Sequence, residues 1–74
     1  MQIKKPFNKL FKINFDGSIE PLVRISVGGV ELGPGVKFTR GVQFAGIDFA
    51  LFIGKDFAVI EHQNGINEIT GVFK

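Results

Sequence analysis

Apolar residues fall in short runs separated by breaks that nearly all contain glycine. Residues 22–27 and 30–32 alternate, with Val23, Ile25, Val27, Val30 and Leu32 on one side and Arg24, Ser26 and Glu31 on the other. That period of two is the mark of a half-buried strand pair. Gly28-Gly29 between them suits a two-residue type I′ turn, which needs positive φ at both central positions. Asn64-Gly65 meets the same requirement between residues 57–63 and 66–73 and is the strongest hairpin signal in the chain. Asp16-Gly17 turns residues 11–15 back on 18–20, and Gly33-Pro34-Gly35-Val36 fits a type II turn. Gly54-Lys55-Asp56 joins a strand over 47–53 to Phe57. The pattern predicts an all-β chain of six to seven short antiparallel strands. They form a small barrel or two-layer sandwich with a C-terminal three-stranded meander, in one domain spanning residues 1–74.

A glycine-x-x-phenylalanine frame recurs at Gly35-Phe38, Gly41-Phe44, Gly46-Phe49 and Gly54-Phe57. Its spacing is uneven, whereas a solenoid keeps a fixed period. It reads as strand chemistry repeating at turns, with a β-helical coil as the other arrangement compatible with it.

Once the turns are fixed, strand geometry fixes the faces. A two-residue loop at Asn64-Gly65 sets Glu61 opposite Glu68, His62 opposite Asn67 and Ile60 opposite Ile69. A three-residue loop at 54–56 sets Asp48 opposite His62, Ala50 opposite Ile60 and Phe52 opposite Ala58. Both faces of the resulting meander are largely apolar. The run Phe49-Ala50-Leu51-Phe52-Ile53 then reads as a strand covered on both sides. So short a chain covers one face with its own N-terminal half, and the second face calls for another copy. A homo-oligomer with Phe49 or Phe52 at its interface is therefore expected.

Composition sharpens this. The 74 residues include no cysteine, which removes disulfides and thiolate metal sites and assigns no compartment. An apolar fraction of 45% with a net charge of +2 supplies enough apolar surface for collapse and argues against disorder. Small domains gain their missing stability from bridges, metals or oligomerisation, and here the last remains. The most apolar stretch, 44–60, is broken by Asp48 and by Gly54-Lys55-Asp56, so no transmembrane segment is expected. The N-terminus lacks the apolar region of a targeting signal, and the chain reads as soluble and complete.

Candidate chemistry is sparse. His62 is the single histidine, and the expected register sets it in a polar cluster with Asp48 and Asn67, where a carboxylate could orient the imidazole. Ser18 and Ser26 lie on other strands and Thr70 on the opposite face, so no nucleophile completes a triad. The cluster reads as a hydrogen-bonded pair at a sheet end. Glu61 facing Glu68 is a repulsive carboxylate pair. A cation, a shared proton, or a positive partner such as Lys37, Arg40 or a residue of an adjacent subunit would relieve it, although two carboxylates are too few for a hard cation. The plainer reading is two splayed, solvated side chains beside the turn, screened by solvent.

Lys4, Lys5, Lys9 and Lys12 alternate with Phe7 and Phe11, a mixture suited to phosphate neutralisation and base stacking on single-stranded nucleic acid. Phe7, Leu10 and Phe11 also have helical spacing after Pro6, as in an amphipathic turn on an anionic membrane. The plainer reading makes these apolar residues a plug for the fold and the lysines its solvated rim. Arg24 and Arg40, the better phosphate forks, lie elsewhere. No phosphate-loop spacing occurs. The sequence therefore reads as a non-enzymatic β module acting through homo-oligomeric assembly, with no cofactor, metal or catalytic residue. The alternative is a small barrel binding single-stranded nucleic acid through its basic N-terminal segment.

Overall fold

The computed structural model describes residues 2–73. Strands dominate. β1 (Gln2–Pro6) leads into a single helical turn, α1 (Phe7–Leu10), followed by β2 (Phe11–Ile13), β3 (Ile19–Pro21), β4 (Ile25–Val27) and β5 (Val30–Leu32). A long connection containing a 3-10 helix (Phe49–Phe52) then reaches β6 (Asp56–Glu61) and β7 (Asn67–Phe73). One sheet has the order β1-β6-β7-β4-β5 and β2-β3 forms a second. The all-β class holds. The larger sheet is mixed, however, because β4 runs parallel to β7 with Ile25 level with Asn67. That placement lets Ile25, Val27 and Leu32 face the same interior as Val59 and Ile69, and all five are buried.

The β4-β5 hairpin follows its sequence pattern. Val27 pairs with Val30 and Ile25 with Leu32 across Gly28-Gly29. Outside, the Arg24 guanidinium meets Glu31 at 2.6 Å. A Cβ on Gly28 would come within 2.5 Å of the Cβ of Ala45, so this turn packs directly against the long connection.

The two hairpins built on Asp-Gly and Asn-Gly differ from expectation by one residue, and for the same reason. At the second, the Gly65 N–H donates to His62 O at 3.0 Å and the His62 N–H donates to Ile66 O at 2.9 Å, which encloses a three-residue loop. Asn64 Oδ1 accepts the Ile66 N–H at 3.1 Å. At the first, Asp16 Oδ1 accepts the Ser18 N–H at 2.9 Å between the same pair of backbone bonds. With its side chain satisfying the N–H two residues on, the Asx residue stays at negative φ and the glycine alone takes the left-handed conformation, +88° at both Gly17 and Gly65. Beside the second turn the register therefore becomes Glu61 with Asn67 and Ile60 with Glu68, where Glu61 with Glu68 was expected. A bulge at Thr70 removes the slip, so that Ala58 faces Gly71 and Phe57 faces Val72 as a two-residue loop would have set them.

Residues 47–53 do not form a strand, so the expected C-terminal meander is replaced. The N-terminal β1 lies beside β6 instead, with Ile3 opposite Val59 and Lys5 opposite Phe57. Five consecutive apolar residues fit strand or helix equally well by periodicity. The Asp48 side chain decides between them by accepting the Ala50 N–H at 3.1 Å and starting a 3-10 turn. Phe49 points inward at 0% exposure and Leu51 points outward at 57%. The run is not a strand covered on both sides, and Phe49 is the middle of the core, not an interface; Phe52 is half-buried.

That core is aromatic. The Phe49 ring lies 5.0 Å from Phe11 and 5.7 Å from Phe57 between centroids. Phe38 and Phe44 approach it at 6.2 and 6.4 Å. Phe38, Phe44 and Phe49 thus anchor the connection inward, each after a glycine at positive φ has turned it, and Phe57 does the same at the start of β6. Backbone pairing there is limited to isolated bridges, Ile19 with Phe38 and Phe44 with Ile47, so neither paired strands nor a β-helical coil results.

Candidate functional site

The residues expected to form one polar cluster lie in three places. Asp48 is buried in the long connection and holds it together, accepting the N–H groups of Gly41 at 2.8 Å and Ala50 at 3.1 Å. Asn67 is buried at the junction of β7 with β4; its Oδ1 accepts from Lys5 Nζ at 2.8 Å and its Nδ2 donates to Arg24 O at 3.4 Å. His62 is exposed, with Nε2 2.8 Å from Glu68 Oε1. The carboxylate pair is likewise separated, because the slipped register puts Glu61 and Glu68 on opposite faces. Glu61 takes Lys5 at 2.5 Å and Glu68 takes His62, so each carboxylate is relieved within its own chain and not by Lys37 or Arg40.

The N-terminal lysines are largely engaged. Lys4 lies 3.6 Å from Asp56 and 5.0 Å from the Phe73 ring centroid, Lys5 lies between Glu61 and Asn67, and Lys12 lies 3.9 Å from Glu20. Lys9, exposed on α1, has no carboxylate partner among the described residues. Among them, too, no group of three or more metal-ligating side chains converges, and no helix is long and apolar enough to cross a membrane.

An apolar groove is the most distinctive surface, and it arises from how α1 is tied down. The Phe7 N–H donates to Lys55 O at 2.9 Å, and Leu10 O accepts the Leu22 N–H at 2.8 Å. These bonds bring the 53–54 turn, the end of β3 and the start of β2 around one helical turn. Phe7 and Phe11 are buried at the floor, while Ile13, Leu22 and Ile53 stand exposed around an open space of about 470 Å³. Asn8 and Lys12 supply its polar edge.

A second feature, at the tip of the β2-β3 hairpin, is polar in its base and apolar at its apex. Asn14 Nδ2 donates to Ser18 Oγ at 3.0 Å, and Ser18 Oγ donates to Asp16 Oδ1 at 2.6 Å. The side-chain and backbone donors of Ser18 hold the Asp16 carboxyl below its ordinary range. Glu20 accepts the Gly35 N–H at 2.7 Å, which is the main reason its carboxyl is lowered against the opposing effect of burial. Phe15 stands at the apex, fully exposed.

Of these groove and tip residues, sequence reasoning singled out Phe7, Phe11 and Lys12 in the basic N-terminal segment and Asp16-Gly17 as a turn, but not Ile13, Phe15, Leu22 or Ile53. The available signal was Ile13 and Phe15, two large apolar residues of like parity on the strand expected over 11–15, one of them adjacent to an Asp-Gly turn. Comparisons of the chain with protein-family models, with curated proteins and with solved structures gave no match.

Proposed function

We propose that this chain is a non-enzymatic β module that works by associating with further copies of itself, and that the groove face is where it does so. One observation carries the reading: Ile13, Leu22 and Ile53, drawn from three separate segments, are exposed side by side around one groove floored by phenylalanine. Apolar area returned from water contributes about 25 cal/mol per Å², and a chain of this length is short of burial on its own. In this reading the β2-β3 hairpin and the long connection form a second layer over the five-stranded sheet, and the groove opens at the edge of that layer. The pairing of Lys4 and Lys5 with carboxylates weighs against the single-stranded nucleic-acid alternative.

A dilution series followed by amide chemical shifts tests the proposal. Concentration-dependent shifts centred on Ile13, Leu22 and Ile53 are expected, with the β4-β5 hairpin unaffected. Spectra that do not change with concentration would contradict it.

A further inference from the structure

Phe15 is 110% exposed, so none of the described residues shades the ring. Its position is nevertheless fixed. The turn beneath it is closed by the Gly17 N–H donating to Asn14 O at 2.9 Å, by the Asn14 N–H donating to Ser18 O at 2.7 Å, and by the two bonds from Ser18 to Asp16. A large apolar side chain at the apex of a rigid turn contributes nothing to this fold. Such anchors carry most of the energy of interfaces when they fill a pocket, because a ring of two rotatable bonds loses little entropy on docking.

The groove has what that ring lacks. It is apolar, open and floored by two phenylalanines, and its volume of about 470 Å³ lies within the range of sites that accept small molecules or a side chain. Charge matches as well. Asp16 follows the ring immediately and is held ionised by Ser18, while Lys12 lines the groove. The contact of Lys12 with Glu20, at 3.9 Å, is the longest ion pair among the described residues and leaves the lysine side chain half exposed. Full exposure shows that Phe15 does not occupy the groove of its own chain, so a second copy is the occupant the surface fits.

We infer that Phe15 of one copy seats in the Phe7-Phe11 groove of another, with Asp16 facing Lys12 across the contact. The inference rests on the self-association proposed above and specifies its anchor.

Sedimentation velocity on the full chain and four variants tests it. Phe15→Ser is expected to keep the fold and thermal midpoint of the parent, since the ring touches nothing, while weakening association by about 30-fold or more. Leu22→Asp should dissociate the protein from the groove side, and Ile53→Asp serves the same purpose if Leu22→Asp fails to fold. An equimolar mixture of Phe15→Ser with the folded groove variant should associate again, because one supplies an intact groove and the other an intact ring. Asp16→Asn keeps the turn, as Asn64 does in the other hairpin, and should weaken association severalfold while reducing its salt dependence. Parent protein that associates while Phe15→Ser associates equally well would overturn the anchor and leave the self-association reading standing. So would two dissociated single variants that fail to complement. Parent protein that stays monomeric to millimolar concentration would remove both.

Discussion

The carboxylate of Glu20 accepts the backbone N–H of Gly35 at 2.7 Å, across fifteen residues of chain. Beside it, Ile19 and Phe38 exchange backbone hydrogen bonds of 2.8 and 3.0 Å. These are the ties between β3 and the long connection, and they hold in place the segment that brings Phe38, Phe44 and Phe49 into the core.

The Gly35 N–H favours the ionised form of Glu20 and the Ser18 donors favour that of Asp16, so both carboxyls lie below their ordinary values of 4.5 and 3.8 in the folded chain. A depressed folded pKa means stability that is present above the unfolded value and lost as pH falls through the folded one. The thermal midpoint is expected to be level above about pH 5 and to fall progressively once pH drops below 4.5 and 3.8. Glu20→Gln should lower the midpoint at neutral pH and make the acid fall shallower. Circular-dichroism melts across a pH series measure this, and superimposable profiles for the two proteins would count against the tie.

Phe49 packs against four aromatic rings, from β2, β6 and the long connection itself, and truncating it leaves a cavity that this core cannot easily close. A Phe→Ala change in such a site costs about 3–5 kcal/mol, comparable with the roughly 4–11 kcal/mol expected for the stability of a chain of this length. Phe49→Ala should therefore lower the thermal unfolding midpoint by roughly 12–40 °C. The contrast with Phe15→Ser, a truncation of the same residue type at the surface, isolates burial as the cause.

Some of this fold was legible and some was not. The β4-β5 hairpin could be read because the two glycines of its turn leave one conformation open and because Ile25, Val27 and Leu32 alternate with Arg24, Ser26 and Glu31. The hairpins at Asp16 and Asn64 misled by one residue, since these side chains can either take positive φ themselves or bond the N–H two residues ahead, and the sequence does not distinguish the two. That single slip separated Glu61 from Glu68 and took His62 away from Asn67. Residues 49–53 misled because an unbroken apolar run has no period to read. The parallel pairing of β4 with β7 and the place of β1 beside β6 are long-range choices, made by which apolar faces fit together and marked by no local residue. The groove was invisible for the same reason, since its lining comes from α1, β2, the residue after β3 and the turn before β6.

Asn67 and Glu68 are neighbours in sequence with opposite expected roles. Glu68 and His62 are both about half exposed, so Glu68→Gln should change stability by less than about 1 kcal/mol. Asn67 is buried and satisfies Lys5 and the Arg24 carbonyl, and Asn67→Ala should cost about 1–3 kcal/mol. Urea unfolding of both variants gives the comparison, and equal effects would mean that the Lys5-Asn67-Glu61 contact contributes nothing.

Because Lys4 and Lys5 have carboxylate partners, only Lys9 and the loosely held Lys12 remain near the N-terminus to release counterions from a nucleic acid. Titration of a labelled single-stranded oligonucleotide at low salt is expected to show no saturable binding. Saturable binding that weakens steeply with salt and disappears on replacing Lys4, Lys5, Lys9 and Lys12 by alanine would revive the nucleic-acid reading.

Association through the groove is tested most directly by the mass of the protein in solution as a function of concentration, measured by sedimentation equilibrium with Leu22→Asp alongside. The parent is expected to rise above the 8.1 kDa of a single chain as concentration increases, while a folded Leu22→Asp stays at that mass. A parent protein that remains at 8.1 kDa throughout would contradict the assignment of the groove face to self-association.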